Sequence, residues 1–203
     1  MLNFFLFICV AVSRAAAPAW DWSEAAVYQE NHDPGVIWLA DGRKLTVKYG
    51  DIKWKDVRDW KNGRQVTLGY RQDTGVVLFD PESDKSIPIL EGYGEHPIDR
   101  LADQCRKEDP STLGVLDCLG RGRARWDAEM NRVLAVLLKS ADGEQAAALK
   151  DAQKAWSAFR DAESKAIGLT IANREGTINR IEAAERSMNV VKARAEGLWQ
   201  YSN

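Results

Sequence analysis

Apolar and polar positions change period once along this chain. Before about residue 91 they alternate in short runs, and after about residue 97 they recur at spacings of three, four and seven. In the first part, Val36-Ile37-Trp38-Leu39 and Lys44-Leu45-Thr46-Val47-Lys48-Tyr49 flank Ala40-Asp41-Gly42-Arg43, an Asp-Gly turn between β-rich runs. A second pair follows: Trp60 leads through Asn62-Gly63 into Gln65-Val66-Thr67-Leu68-Gly69-Tyr70, and Asp73-Thr74-Gly75 precedes Val76-Val77-Leu78-Phe79. Ser86-Ile87-Pro88-Ile89-Leu90 reads as an edge strand, because an edge tolerates the amide that proline lacks. Five short strands of this kind predict a small antiparallel sheet or barrel.

The run Glu91-Gly92-Tyr93-Gly94-Glu95-His96-Pro97 is rich in turn formers and marks a linker. Beyond it, Leu116, Leu119, Trp126, Met130, Val133 and Leu137 share one helix face, and that helix runs to about Lys139. Asp142-Gly143 breaks the chain. Leu149, Ala152, Trp156, Phe159 and Ile167 form a second stripe ending near Gly168. A third helix spans about Thr177 to Trp199 through Ile181, Met188, Val191 and Leu198. Three amphipathic helices bury their stripes only against one another. The expected class is α+β: a small antiparallel β-domain over residues 20–97, followed by a disulfide-stapled three-helix bundle over residues 98–203.

Residues 1–19 have the texture of an export signal, with an apolar run from Leu2 to Val12 and then Ala15-Ala16-Ala17-Pro18-Ala19. The run is too short to span a bilayer, and cleavage is expected after Ala17 or Ala19. Positive charge before the run comes only from the Met1 amine, so an uncleaved anchor is the alternative. Cys9 follows Ile8, where a lipoprotein would need a small residue, and it leaves with the signal. The mature protein is then periplasmic or secreted, with no integral membrane segment. Its two cysteines, Cys105 and Cys118, form the one available disulfide, the alternative being two free thiols. Pro110 ends any incoming helix and Ser111 or Thr112 caps the next, so the bond ties a loop to the first turns of a helix. Closing a loop of this size contributes about 3 kcal/mol in the chain-entropy model.

With 45% apolar residues the chain builds a core, and a net charge of -2 argues against nucleic acid and suits a basic partner. Catalysis finds little support. His32 and His96 lie in turn-rich flanks and read as exposed loop residues. No Ser-His-Asp order, Cys-His pair or metal-ligand spacing is present, so no catalytic residue, metal or cofactor is expected.

The stretch Trp126-Asp127-Ala128-Glu129-Met130-Asn131, and then Ala152-Gln153-Lys154-Ala155-Trp156-Ser157-Ala158-Phe159-Arg160-Asp161, behind the cysteine pair, resembles the LprI-like lysozyme inhibitor family over about residues 105–198. Cys105, Cys118, Asp127, Met130, Asn131, Leu149, Gln153, Trp156, Arg160 and Asp161 match in order and spacing, and Gly176-Thr177 sits at the family's turn. Ser164 stands near where a cysteine is common, and the last helix lacks its partner, so the family's second disulfide is absent. The resemblance implies an inhibitor that occludes a peptidoglycan-cleaving lysozyme.

Trp126 and Trp156 at helical spacing read first as core residues. Arg160 with Asp127 or Asp161, together with Asn131 and Gln153, reads as a polar network between the first two predicted helices, the alternative being direct contact with the target. Arg121 to Arg125 reads as a solvated face. The candidate inhibitory loop is the acidic tip holding Glu82, Ser83, Asp84 and Lys85, the alternative being an ordinary hairpin loop. The expected partner is a lysozyme-type glycosidase or another envelope protein. A non-inhibitory envelope module is the second functional class, favoured if Ile52, Trp54, Val57 and Trp60 form a surface patch. A cell-wall hydrolase is the third.

Overall fold

A computed structural model of the protein describes residues 18–33, 35–47, 57 and 60–202. Most of the expected signal, Cys9, Ile52 and Trp54 lie outside them. Six strands close into an antiparallel barrel: β1 (Trp22–Asp33), β2 (Val36–Leu39), β3 (Lys44–Val47), β4 (Gln65–Arg71), β5 (Gly75–Asp80) and β6 (Lys85–Glu91), in the order β1-β2-β3-β6-β5-β4. Leu39, Leu45, Leu68, Tyr70 and Leu78 are fully buried inside it.

Two expectations for the strands change. The first strand, β1, was not foreseen, because Glu24-Ala25-Ala26 and Gln29-Glu30-Asn31 are poor strand formers. Its pairing with β4 from Trp22↔Tyr70 to Val27↔Gln65, and with β2 at Tyr28↔Leu39, overrides that preference. The strand holding Pro88 is also not an edge. β6 pairs with β5 at Val77↔Pro88 and with β3 at Val47↔Ile89, and a register shift interrupts the β3 side. Closure removes edges altogether, and proline is accommodated next to that irregular seam.

Gly92 lets the chain leave the barrel, with φ +92°, and a Cβ there would lie 1.9 Å from the Lys44 carbonyl oxygen. Four helices follow rather than three: α1 (Pro97–Glu108), α2 (Thr112–Ser140), α3 (Gly143–Ile167) and α4 (Thr177–Trp199). The added helix, α1, begins inside the presumed linker. His96 caps it by accepting a hydrogen bond from the Ile98 amide, Pro97 supplies a first-turn φ, and Asp99 meets the positive end of the helix dipole. Helix α3 ends at Ile167, next to Gly168 as its stripe predicts, and the chain continues as a π-helical turn over Gly168–Ala172.

Helix α2 packs along α4, and Gly122 permits the close approach: a Cβ there would lie 2.8 Å from the Met188 sulfur. The barrel is not separate from this pair. One hydrophobic core runs from Leu68 and Tyr70 through Tyr93 and Ile98 to Trp126, Met130, Val191 and Leu198. Val57 and Trp60 belong to that core, 1% and 9% exposed, so these two do not contribute to a surface patch.

Candidate functional site

At the seam between barrel and helices lies an aromatic and ionic cluster. The His96 ring packs 4.4 Å from Trp126 and 5.0 Å from Trp199, while Tyr70 and Tyr93 meet it edge-on. Burial, followed by the nearby cations of Lys192 and Arg132, pushes the imidazole down to about 3, so it is neutral at physiological pH. Its Nδ1 accepts from the Ile98 amide at 3.2 Å, which leaves the proton on Nε2. The expectation of an exposed His96 is therefore overturned: the residue is 6% exposed because α1 starts on it. The side chain of His32 lies outside the described residues.

Trp126, fully buried, donates its indole N–H to Asp99 at 3.0 Å, and the other Asp99 oxygen takes Lys192 at 2.7 Å. Burial opposes the charge on Lys192, but the hydrogen bond it donates to Asp99 and the negative charges of Asp99, Glu196 and Glu95 together outweigh burial and raise the ammonium above its usual value. Deeper in the seam, Glu129 is 1% exposed and takes a two-pronged hydrogen bond from Arg132, at 2.8 and 2.5 Å. Arg132 lies under the β4–β5 turn, where a Cβ on Gly75 would come within 2.6 Å of its guanidinium. Sequence reasoning missed this cluster. The signal was there in His96-Pro97-Ile98-Asp99, a capping residue, a first-turn proline and a first-turn acid.

Apart from Trp126, which belongs to that cluster, the expected site residues divide among three places. Cys105 and Cys118 are bonded, with their Cα atoms 5.7 Å apart, and join the end of α1 to the start of α2. Arg121 approaches the Cys105 sulfur at 2.8 Å and pairs with Asp117. The second place is where α2, α3 and α4 meet. Arg160 lies 3.0 Å from Asp161 and 3.8 Å from Asp127, Asn131 donates to Asp127 at 3.4 Å, and Arg194 of α4 donates to Gln153 at 3.2 Å. The Arg160 guanidinium also sits 5.3 Å from the Trp156 ring centroid. Trp156 is only half-buried and Phe159 is 54% exposed, so this face of α3 is open.

The third place is the tip between β5 and β6. Asp80 is fully buried at its base and accepts from Arg64 Nε at 3.0 Å, from the Glu82 amide at 3.1 Å and from the Ser83 hydroxyl. Burial works against the Asp80 carboxylate, but these hydrogen bonds outweigh it and hold the group below the usual carboxylate range. Asp84 adopts a left-handed φ of 56°. The Ser83 hydroxyl is thus spent inside the turn, while Glu82 keeps 66% of its side chain exposed and reaches Arg64 at 3.2 Å. The hydrogen bonds and ion pairs of Asp80, Glu82 and Ser83 among the described residues stay within the barrel and do not reach the α2–α3 motif residues.

Residues 103–198 match the model of the family described as Lysozyme inhibitor LprI. The matched segment takes in the disulfide, the Asp127–Arg160 network and most of α4, and it leaves the barrel and the His96 cap outside. A crystal structure of an uncharacterised protein from Burkholderia thailandensis is similar in fold, with a TM-score of 0.50 and 24% identity. The likeness covers 53% of this chain and 54% of that one, so it spans about half of each. No curated protein matches the chain. Among the described residues, no helix is long and apolar enough to cross a membrane, and no group of His, Cys, Asp and Glu is arranged to hold a metal ion.

Proposed function

We propose that the protein is exported and inhibits a peptidoglycan-cleaving lysozyme by occlusion rather than by chemistry. The observation that carries this reading is the match of residues 103–198 to the LprI lysozyme inhibitor family. The helical part, residues 98–203, supplies the family scaffold, and the barrel, residues 20–97, supplies a stiff support for the 82–85 tip. Stiffness favours occlusion, because a loop already held in shape loses little entropy on entering a cleft. Glu82 and Asp84 are exposed acids on that tip, beside Lys85, and an acidic tip suits encounter with a basic enzyme.

A non-inhibitory envelope module is the second reading. It loses the patch around Trp60, which is core, but gains the half-open aromatic face of α3 at Trp156 and Phe159.

The test is lysozyme turnover on a cell-wall suspension with the mature protein titrated in. Stoichiometric loss of turnover supports inhibition. Full turnover at saturating protein supports the interaction module, and lysis by the protein alone supports a hydrolase.

A further inference from the structure

Three clefts meet at two residues, Tyr93 and Trp199. The first, about 520 Å3, lies between α1 and α4 and has Trp199, Tyr93 and His96 along one wall. The second, about 420 Å3, runs under β5 and β6 past Glu129 and Arg132. The third, about 280 Å3, lies over Gly92 and Gly94. Trp199 and Tyr93 border all three, so the Trp199 ring is a common wall at the seam of barrel and helices, a position where ligand sites concentrate.

The α1–α4 cleft is acidic. Glu95, Asp99, Asp103, Glu185 and Glu196 line it against only Arg106 and Lys192. Arg106 is held between Asp103 and Glu185, and Lys192 closes on Asp99, so the internal cations are committed to the cleft's own walls. Glu196 stands 3.8 Å from Lys192, is 46% exposed, and precedes Trp199 by three residues, on the same face of α4. A cation above the indole would meet a carboxylate one turn away, combining cation–π attraction with an ion pair.

His96 adds an independent observation. Its ring is buried in the cleft wall, its Nδ1 is used by the Ile98 amide, and its Nε2 has no hydrogen-bond partner among the described residues. A neutral imidazole carries an N–H there, and such a buried donor calls for an acceptor, which the backbone carbonyl of a segment carrying a cationic side chain would supply.

We propose that the α1–α4 cleft binds a lysine or arginine side chain of a basic protein partner, with Trp199 as its platform and Glu196 and Glu95 as counter-charges. Charge complementarity selects this occupant: an acidic concave surface with an aromatic wall attracts a cationic side chain and repels an acidic segment. The partner's identity rests on the lysozyme reading, whereas the chemistry of the cleft does not.

The test uses hexa-arginine as probe and tryptophan fluorescence of the full mature chain as readout. Saturable quenching is expected, reduced about tenfold in affinity in the double variant Glu95→Gln/Glu196→Gln and unchanged in Glu144→Gln, an exposed acid at the start of α3. The double variant should also lower the on-rate for a basic lysozyme and flatten its salt dependence. Absence of saturable quenching, equal affinity in the double variant, or displacement of hexa-arginine by chitotetraose, which would assign the cleft to glycan, overturns the proposal. Hexa-arginine binding without lysozyme inhibition leaves the cleft standing and removes the lysozyme reading. Undiminished lysozyme inhibition by a double variant that no longer binds hexa-arginine keeps the inhibitor reading and removes the cleft as its contact.

Discussion

Helices α2 and α3 carry the same kind of apolar stripe and each holds one of the matched tryptophans, yet they are packed very differently. Helix α2 buries nine residues, including Trp126 and the charged Glu129, whereas α3 buries only Ile167 in 25 residues. The difference comes from what each stripe faces. Helix α2 is gripped on one side by α4 and on another by the barrel, where Gln72 donates to the Arg125 carbonyl at 3.0 Å. Helix α3 rests on α2 and α4 by its edge, and open grooves run along it on either side: one past Phe159 and Val190, the other past Leu149 and Tyr201. Periodicity announces that a helix has an apolar face, but it does not say how much of that face another element covers. Residues matching one family pattern therefore divide into a buried set, which holds the fold, and a half-open set, which is free to make contacts.

If that division is right, substitutions should separate by helix. Trp126→Ala should cost about 3 to 5 kcal/mol in urea unfolding, since it empties a fully buried site and strips Asp99 of a donor. A cost under about 1 kcal/mol would break the comparison at its buried end. Cys118→Ser, which frees α1 from α2, should cost about 2 to 4 kcal/mol by the same measurement, and reductant should have little further effect on the variant.

Acid should act on the buried set first. A neutral His96 held down to about 3 takes up its proton more readily in the unfolded chain, whose ordinary value is about 6.5. Its contribution to stability is therefore complete above about pH 6.5 and is lost as pH falls toward 3, with a slope of at most about 1.4 kcal/mol per pH unit. His96→Asn keeps a capping acceptor without the titration, and its stability should be flatter between pH 6.5 and 5 than that of the parent. Equal slopes would show that His96 is not the group responsible.

On the exposed side the effects should be small. Trp156→Ala is expected to cost about 1 to 2 kcal/mol, because a half-buried ring over Arg160 leaves less of a cavity. Phe159→Ser should stay within about 0.5 kcal/mol. A Trp156 variant as costly as Trp126→Ala would mean that α3 is as tightly held as α2.

Much of this fold was legible in the sequence wherever a local signal stood alone. Asp41-Gly42 and Asn62-Gly63 mark turns that the structure shows, and Asp142 with Gln145 forms the capping box that starts α3. The misses have a common cause, which is that tertiary contacts decide them. β1 is made a strand by two neighbours despite its alanines, Pro88 is carried by barrel closure, and α1 hides behind a glycine-rich run whose next-to-last residue, His96, is its cap. His96 looked like a loop histidine because its four aromatic neighbours come from positions 70, 93, 126 and 199, which no short window joins.

Hydrogen exchange on the intact, oxidised protein, resolved by helix, tests the division most directly. Backbone amides of α2 and α4 should exchange only through global unfolding, together with those of β4 and β5, while α3 amides should exchange through a smaller opening with clearly lower protection. Protection of α3 equal to that of α2 would contradict the account, and would place Trp156, Arg160 and Asp161 in the core rather than on a surface available to a partner.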